Sequence, residues 1–277
     1  MMISGGFCDC IHKKIIMNSS SSSICDSNCD DADIDTAISF MFDSEHPKIH
    51  KTARVGDVDI KLKTIGDDPG HVQSGQYIWP AALSLSSHIV DVWPELKAET
   101  VLELGAGCGM VGITCAGMKD CKSVILTDYD PGSLKLLEEN IVLNRESMGA
   151  CNCFVTGLTW GDIESANALL GVASAQETRL PLLVGSDLIY CKDVIRPLFE
   201  TVASLLSIKG IFILASSFDI GQESNDIFDA ECSVFGFSVE TIQHLIEEGG
   251  GGHMCKIQYI SKRSIYDEIY ENVFKTR

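Results

Sequence analysis

No stretch of this 277-residue chain holds the ~18 continuous apolar residues of a membrane-spanning helix, although 45% of its residues are hydrophobic. The N-terminus also lacks the ~7–15-residue apolar run of a secretory signal. Arginine is missing before Arg54, so Lys13, Lys14 and the nearby serines make a poor organelle-import segment. Basic residues are scarce, 21 Lys and Arg against 39 Asp and Glu, and the formal charge is −18. Phosphate backbones are bound by clustered Lys and Arg, so nucleic acid is not expected as the main partner. The charge suits a basic protein substrate, and it suits plain solubility equally well. The 12 cysteines contain no C-x₂-C pair. They read as reduced thiols of a cytoplasmic protein, and Cys8, Cys10, Cys25 and Cys29 are not expected to hold a metal.

What is present begins with a tail. Residues 1–50 carry "NSSSSSICDSNCDDADIDT", a serine run and an acidic cluster without periodicity, and are expected to be largely disordered. "ISFMF" at Ile38–Phe42 is an apolar patch that could dock on the domain. Residues 51–277 form the second region. "VDIKLKTI" alternates as a half-buried strand does. From there, apolar strands ("TVLEL", "KSVILTD", "NCFVTGL", "LPLLVGSD", "GIFILASS") alternate with helical segments ("PAALSLSSHIV", "MVGITCAGM", "PGSLKLLEENIVLN", "KDVIRPLFETVASLL", "SNDIFDAECSVFG"). In the third of these helices Asp130 fits the N-cap and Pro131 fits N1, with Leu134, Leu137 and Ile141 at helical spacing. Pro197 is expected to kink the fourth. "FSVETIQ" and "CKIQYIS" close the chain as two strands around a Gly249–Gly252 turn. The pattern predicts an α/β fold: a seven-stranded, mostly parallel sheet with an antiparallel C-terminal edge and helices on both faces. Ligands in such sheets bind at the carboxyl ends of the strands.

The chemistry centres on "VLELGAGCGMVGI", Val101–Ile113. A glycine-rich turn between a strand and a helix lets backbone approach a ligand closely. From Gly107, "GCGMVG" fits the dinucleotide pattern G-x-G-x-x-G. From Glu103, "ELGAGCG" fits the acid-x-G-x-G-x-G turn of enzymes that bind S-adenosylmethionine. Asp128 ends the next strand and serves the ribose hydroxyls in both readings. Glu103 separates them: an acid there repels a pyrophosphate, whereas S-adenosylmethionine carries a positive amine and sulfonium. A solvated strand-end acid is the plainer reading of Glu103.

"VLELGAGCGMVGI", "TDYDPGSLKLLEENI", "LTWGD" and "GSDLIY", in that order and with "SGQYIWPAA" upstream, resemble the seven-strand methyltransferases of family 16. That group holds protein-lysine methyltransferases with a D/E-x-x-Y/F motif. The resemblance covers about 74–245. It implies a Rossmann-like sheet with S-adenosyl-L-methionine as cofactor. It implies Glu103, Gly105 and Gly107 around the methionine part, Asp128 at the ribose, and Leu158, Thr159 and Trp160 at the adenine. Trp79 falls beside the cofactor and Ser186 at the strand end next to it. Core packing is the plainer but less favoured reading of both tryptophans.

Asp187 and Tyr190 match D-x-x-Y, with a helix cap and a half-buried tyrosine as the plainer alternative. Methyl transfer needs a neutral amine, and a lysine with pKa near 10.4 is short of that form by about 4 kcal/mol at neutral pH. A nearby sulfonium and desolvation lower that pKa, while Asp187 would raise it. Asp187 is therefore expected to orient the amine rather than deprotonate it. "ASSFDIG", with Ser216, Ser217, Phe218 and Asp219, departs from the aromatic-plus-charge pattern of the family after the fifth strand. The particular target is thereby left open. The expected function is N-methylation of a protein lysine; a protein histidine or small amine as acceptor and a non-catalytic cofactor-binding regulatory module are the alternatives, and an oxidoreductase is disfavoured by Glu103. The chain is expected to act as a monomer.

Overall fold

The computed structural model describes residues 48–56, 58–65, 74–173, 179–248 and 251–262. The serine-rich tail, the Ile38–Phe42 patch and Cys8, Cys10, Cys25 and Cys29 lie outside them. The chain divides at residue 45, and the described residues all belong to the second unit, 46–277. Its first strand starts at Lys48, inside the segment assigned to the tail by composition.

That strand, β1 (Lys48–Val55), pairs antiparallel with β2 (Val58–Ile65) as a hairpin. A larger sheet follows, built from β3 (Thr100–Glu103), β4 (Ser123–Asp128), β5 (Asn152–Gly157), β6 (Leu180–Ser186), β7 (Leu206–Ser216), β8 (Ser238–Glu248) and β9 (Gly251–Ser261). Its order is β5-β4-β3-β6-β7-β9-β8. Strands β3 to β7 are mutually parallel, and β9 runs antiparallel between β7 and β8. The expected hairpin edge is thus present, with its second strand tucked inward. Chain order reverses between β3 and β6, so the carboxyl ends of these two strands flank the switch point.

Helices α1 (Pro80–Leu96), α2 (Met110–Ala116), α3 (Pro131–Leu143), α4 (Ile163–Ala173), α5 (Ile195–Leu205) and α6 (Gln222–Phe235) cover the sheet. Strand alternation divides the core into two layers. Val101, Val124, Leu126, Val184, Ile213 and Ile257 pack beneath α1, α2 and α3 with Ile60 and Leu62 of the hairpin. Leu102, Ile125, Leu183, Phe212 and Leu214 pack on the opposite face with Phe199 and Phe228. Two helical expectations change. Lys192–Val194 is a separate 3₁₀ turn and Leu206 belongs to β7, so α5 is shorter than the apolar pattern suggested. Pro197 then falls in its first turn, where an N–H has no helical partner, and no kink is needed. Helix α4 carried no prediction. Asp162 starts it by accepting from Ser165 N (3.1 Å) and Ser165 Oγ (2.6 Å). Among the described residues no helix is long and apolar enough to cross a membrane.

Candidate active site at the switch point

The turn after β3 answers why Glu103 precedes the glycines. Glu103 is 2% exposed, and its Oε2 accepts from the Gly112 amide of α2 at 2.8 Å. It is neither a solvated strand-end acid nor a charged rim. It lies behind the turn and accepts from the Gly112 and Val111 amides in the first turn of α2, so these two donors are not open to a ligand phosphate. Burial, relieved in part by the Gly112 amide, pushes its carboxyl up to about 8. Gly112 itself is fixed by this contact, since a Cβ there would stand 2.6 Å from Oε2.

Gly105 and Gly107 both hold positive φ, 56° and 53°. A Cβ on Gly105 would meet Leu188 Cδ2 at 2.8 Å and the Trp160 ring at 3.1 Å. A Cβ on Gly107 would collide with the Gly75 carbonyl. The Ser74–Gln76 turn therefore lies directly against the glycines. It is held there by Thr64 Oγ1, which donates to the Gln76 carbonyl at 2.7 Å. The carboxyl group of Asp128 is drawn to the same turn. Its Oδ2 accepts from Gly107 N (2.9 Å) and its Oδ1 from Asp130 N (3.0 Å). These bonds fix its direction at the end of β4, while burial raises its pKa. Leu158 continues this edge, donating its N–H to the Asp128 carbonyl at 2.9 Å, and its side chain is buried. Tyr129 carried no prediction, yet it is 64% exposed beside Asp128. An aromatic directly after the strand-end acid was the available signal.

Asp187 follows Ser186 at the end of β6 with φ 52°, unusual for a non-glycine residue. Its carboxylate is held from three sides. Oδ1 accepts from Ser217 N at 2.7 Å, while Oδ2 accepts from Ser217 Oγ at 2.8 Å and Ala81 N at 3.3 Å. Burial raises its pKa against these bonds. Asp187 thus ties together the ends of β6 and β7 and the start of α1. It has the partners of a cap, placed at the switch point. Trp79, the N-cap residue of α1, meets Tyr77 edge-on at 5.7 Å and Phe218 at 6.2 Å between ring centres. Tyr190 is 61% exposed on the same segment as Asp187. Gly105, Trp160, Leu188 and Asp128 therefore gather around the turn, and Trp79, Asp187, Ser217 and Phe218 around the start of α1. Among the described residues no cluster of His, Cys, Asp or Glu could hold a metal ion.

The chain is similar to several named proteins. The chain is 30% identical over 148 residues to Protein N-lysine methyltransferase METTL21A of Mus musculus, covering 53% of this chain and 63% of that protein. It is 32% identical over 147 residues to Protein N-terminal and lysine N-methyltransferase EFM7 of Cryptococcus neoformans, covering 53% of this chain and 47% of that one. The chain thus spans only about half to two-thirds of these curated relatives. Among solved structures it is similar to Pyrococcus horikoshii TYW2 in complex with MeSAdo, at 17% identity and TM-score 0.47, covering 77% of this chain and 72% of the other. A family model described as lysine methyltransferase matches residues 59–229, the stretch that runs from the hairpin through Asp187 to α6, and the chain belongs to that family, number 16 of the methyltransferases.

Proposed function

We propose that this protein is an S-adenosylmethionine-dependent methyltransferase that N-methylates a lysine side chain of a protein. The observation that carries the cofactor reading is the Glu103 carboxyl seated on α2 at Gly112 N. It favours a ligand without phosphate and disfavours a dinucleotide. Asp128, oriented by Gly107 N and Asp130 N, would hold the ribose hydroxyls. Trp160, beside Gly105, and Leu158 would border the nucleoside, and Trp79 would stand next to the methionine end. When bound, the cofactor supplies an electrophilic methyl group on a sulfonium.

The remaining work falls to the chain's own residues. A lysine amine must shed its proton, lose water and meet the methyl carbon in line. Trp79 and Phe218 offer apolar ring surface to its stem, and Tyr190 offers a wall with a hydroxyl. Asp187, already occupied by Ala81 and Ser217, acts by fixing these segments rather than as a free base. The name of the fungal relative, which includes protein N-termini, keeps an α-amine as a second acceptor of the same chemistry. The acidic chain suits a basic protein target in the cytosol, and the described cysteines are thiols.

Incubation with methyl-labelled cofactor and a whole-cell extract tests the reading. A labelled protein whose tryptic peptides carry methyl-lysine is the expected result. Label on histidine, on small amines, or on nothing would reject it, and label on an N-terminus would select the α-amine.

A further inference from the structure

Lys51 stands out on the hairpin. Residues directly opposite in an antiparallel pair share a face. Ile49, Lys51 and Ala53 pair with Thr64, Leu62 and Ile60, and those three are 0%, 1% and 1% exposed. The face formed by these six residues, with Val55 beyond them, turns toward the glycine turn, and Lys51 is its one charged member. Cys108 of the turn marks the contact, with its Sγ 3.7 Å from Thr64 Oγ1 and 3.9 Å from the Gly75 carbonyl. The Lys51 ammonium lies 5.7 Å over the Tyr77 ring, which in turn abuts Trp79. Burial pushes the Cys108 thiol up to about 12, and Lys51 is the one charged side chain that opposes the shift. The cation therefore stands where the hairpin, the glycine turn and the Tyr77–Trp79 segment converge.

Most backbone donors of the turn are already committed. Within the turn, Leu104 N bonds Val184 O, Ala106 N bonds Thr127 O and Gly109 N bonds Ala106 O. Gly107 N and Gly112 N are committed to Asp128 and Glu103. The acidic side chains that ring the turn are Asp128 and Asp130, with Asp187 at the neighbouring start of α1, while Glu103 lies behind the turn as a neutral carboxyl group. Such a ring tolerates the amine and sulfonium of S-adenosylmethionine but opposes its carboxylate, the third charged group of the amino-acid end. We propose that Lys51 is the counter-ion of that carboxylate and so selects the amino-acid end of the cofactor. This rests on the cofactor reading given above. Nothing in the glycine motif itself encodes it, because Lys51 reaches the turn from a hairpin about 55 residues upstream.

Calorimetric titration with S-adenosylhomocysteine and with its decarboxylated analogue, which keeps the amine and thioether, tests the assignment. The unaltered protein should prefer the carboxylate-bearing compound by about tenfold, the worth of one charge-assisted hydrogen bond. Lys51→Met should erase that preference, weakening S-adenosylhomocysteine about tenfold while the decarboxylated compound stays within about twofold. Lys51→Arg should retain it. If Lys51→Met does not fold, Lys51→Gln, with a polar end but no charge, takes its place. A Lys51→Met protein that weakens both compounds equally, or neither, overturns the proposal while leaving the cofactor reading intact. An unaltered protein that binds neither compound overturns both.

Discussion

Asp187 shows how a side chain can be named by a motif and still be misjudged in its direction. Its place at the end of β6 was legible in "GSDLIY", but its partners come from Ala81 and Ser217, distant in sequence, and no spacing rule reveals them. With three donors on one carboxylate, its removal frees the start of α1 and the Ser217–Phe218 segment at once. Asp187→Ala should lower turnover by about 100-fold, the scale of a small misplacement of reacting groups, while S-adenosylhomocysteine affinity changes only a few-fold. Ser217→Ala leaves the Ser217 N–H bond in place and should show the same effect in milder form. Parallel loss of cofactor binding in Asp187→Ala would move Asp187 into the cofactor site instead. Asp128 follows the opposite rule. It was identified from the sequence as the acid that ends the second sheet strand, and Gly107 N and Asp130 N aim it from neighbouring positions. Asp128→Ala should weaken S-adenosylhomocysteine by about 1–3 kcal/mol in calorimetry, through lost hydrogen bonds.

The strands and helices were mostly legible because apolar period and punctuation agree, as in α3 with Asp130 as cap and Pro131 at N1. What α3 does for its neighbours was not. Asn140 and Asn144 lie one helical turn apart and reach the open edge of β2. Asn140 accepts from Lys63 N (2.7 Å) and donates to Lys63 O (3.0 Å) and Cys108 O (2.9 Å). Asn144 accepts from Lys61 N (2.9 Å) and donates to Lys61 O (2.6 Å). Two side-chain amides thus take the place of a neighbouring strand and tie the hairpin to both the helix and the glycine turn. Polar residues at helix spacing read equally well as a solvated face, and only the burial of both, 0% and 3%, distinguishes the two. Asn140→Ala strands buried backbone groups on Lys63 and Cys108. It should destabilise the fold by about 2–3 kcal/mol. For a domain of this size that is roughly a 4–12 °C fall in melting temperature. Asn140→Ala should also weaken cofactor binding, because the hairpin positions Thr64 and the Ser74–Gln76 turn. A melting temperature within about 1 °C of the original would show that the hairpin is held by its apolar face alone.

Across the whole molecule two buried groups set opposing dependences on pH. The His88 environment could not be read in sequence, because β9 enters between β7 and β8 and brings Tyr259 against α1; Glu103 was singled out there, but its burial behind its own turn was not. His88 of α1 lies 2.5 Å from the Tyr259 hydroxyl, and burial with the adjacent His244 lowers its pKa to about 4 from 6.5. The unfolded chain binds that proton more readily, so His88 adds stability as pH rises from about 4 to 6.5, with none further above. Glu103 has the reverse sign. Its folded pKa of about 8 exceeds the unfolded 4.5, so the folded state holds the extra proton and stability falls as pH rises between those values. The two oppose each other from 4.5 to 6.5, where they nearly cancel, and Glu103 acts without that opposition from 6.5 to 8. At 1.36 kcal/mol per pH unit the loss over that upper window is on the order of 2 kcal/mol. Denaturant titrations at pH 6.5 and 8 should therefore show lower stability at the higher pH. Glu103→Gln keeps an acceptor for the Gly112 amide but cannot ionise, so its stability should be nearly level across the same window. A variant that retains the full slope would mean that Glu103 is ionised throughout, and that α2 is held by a buried charge rather than by a neutral carboxyl group.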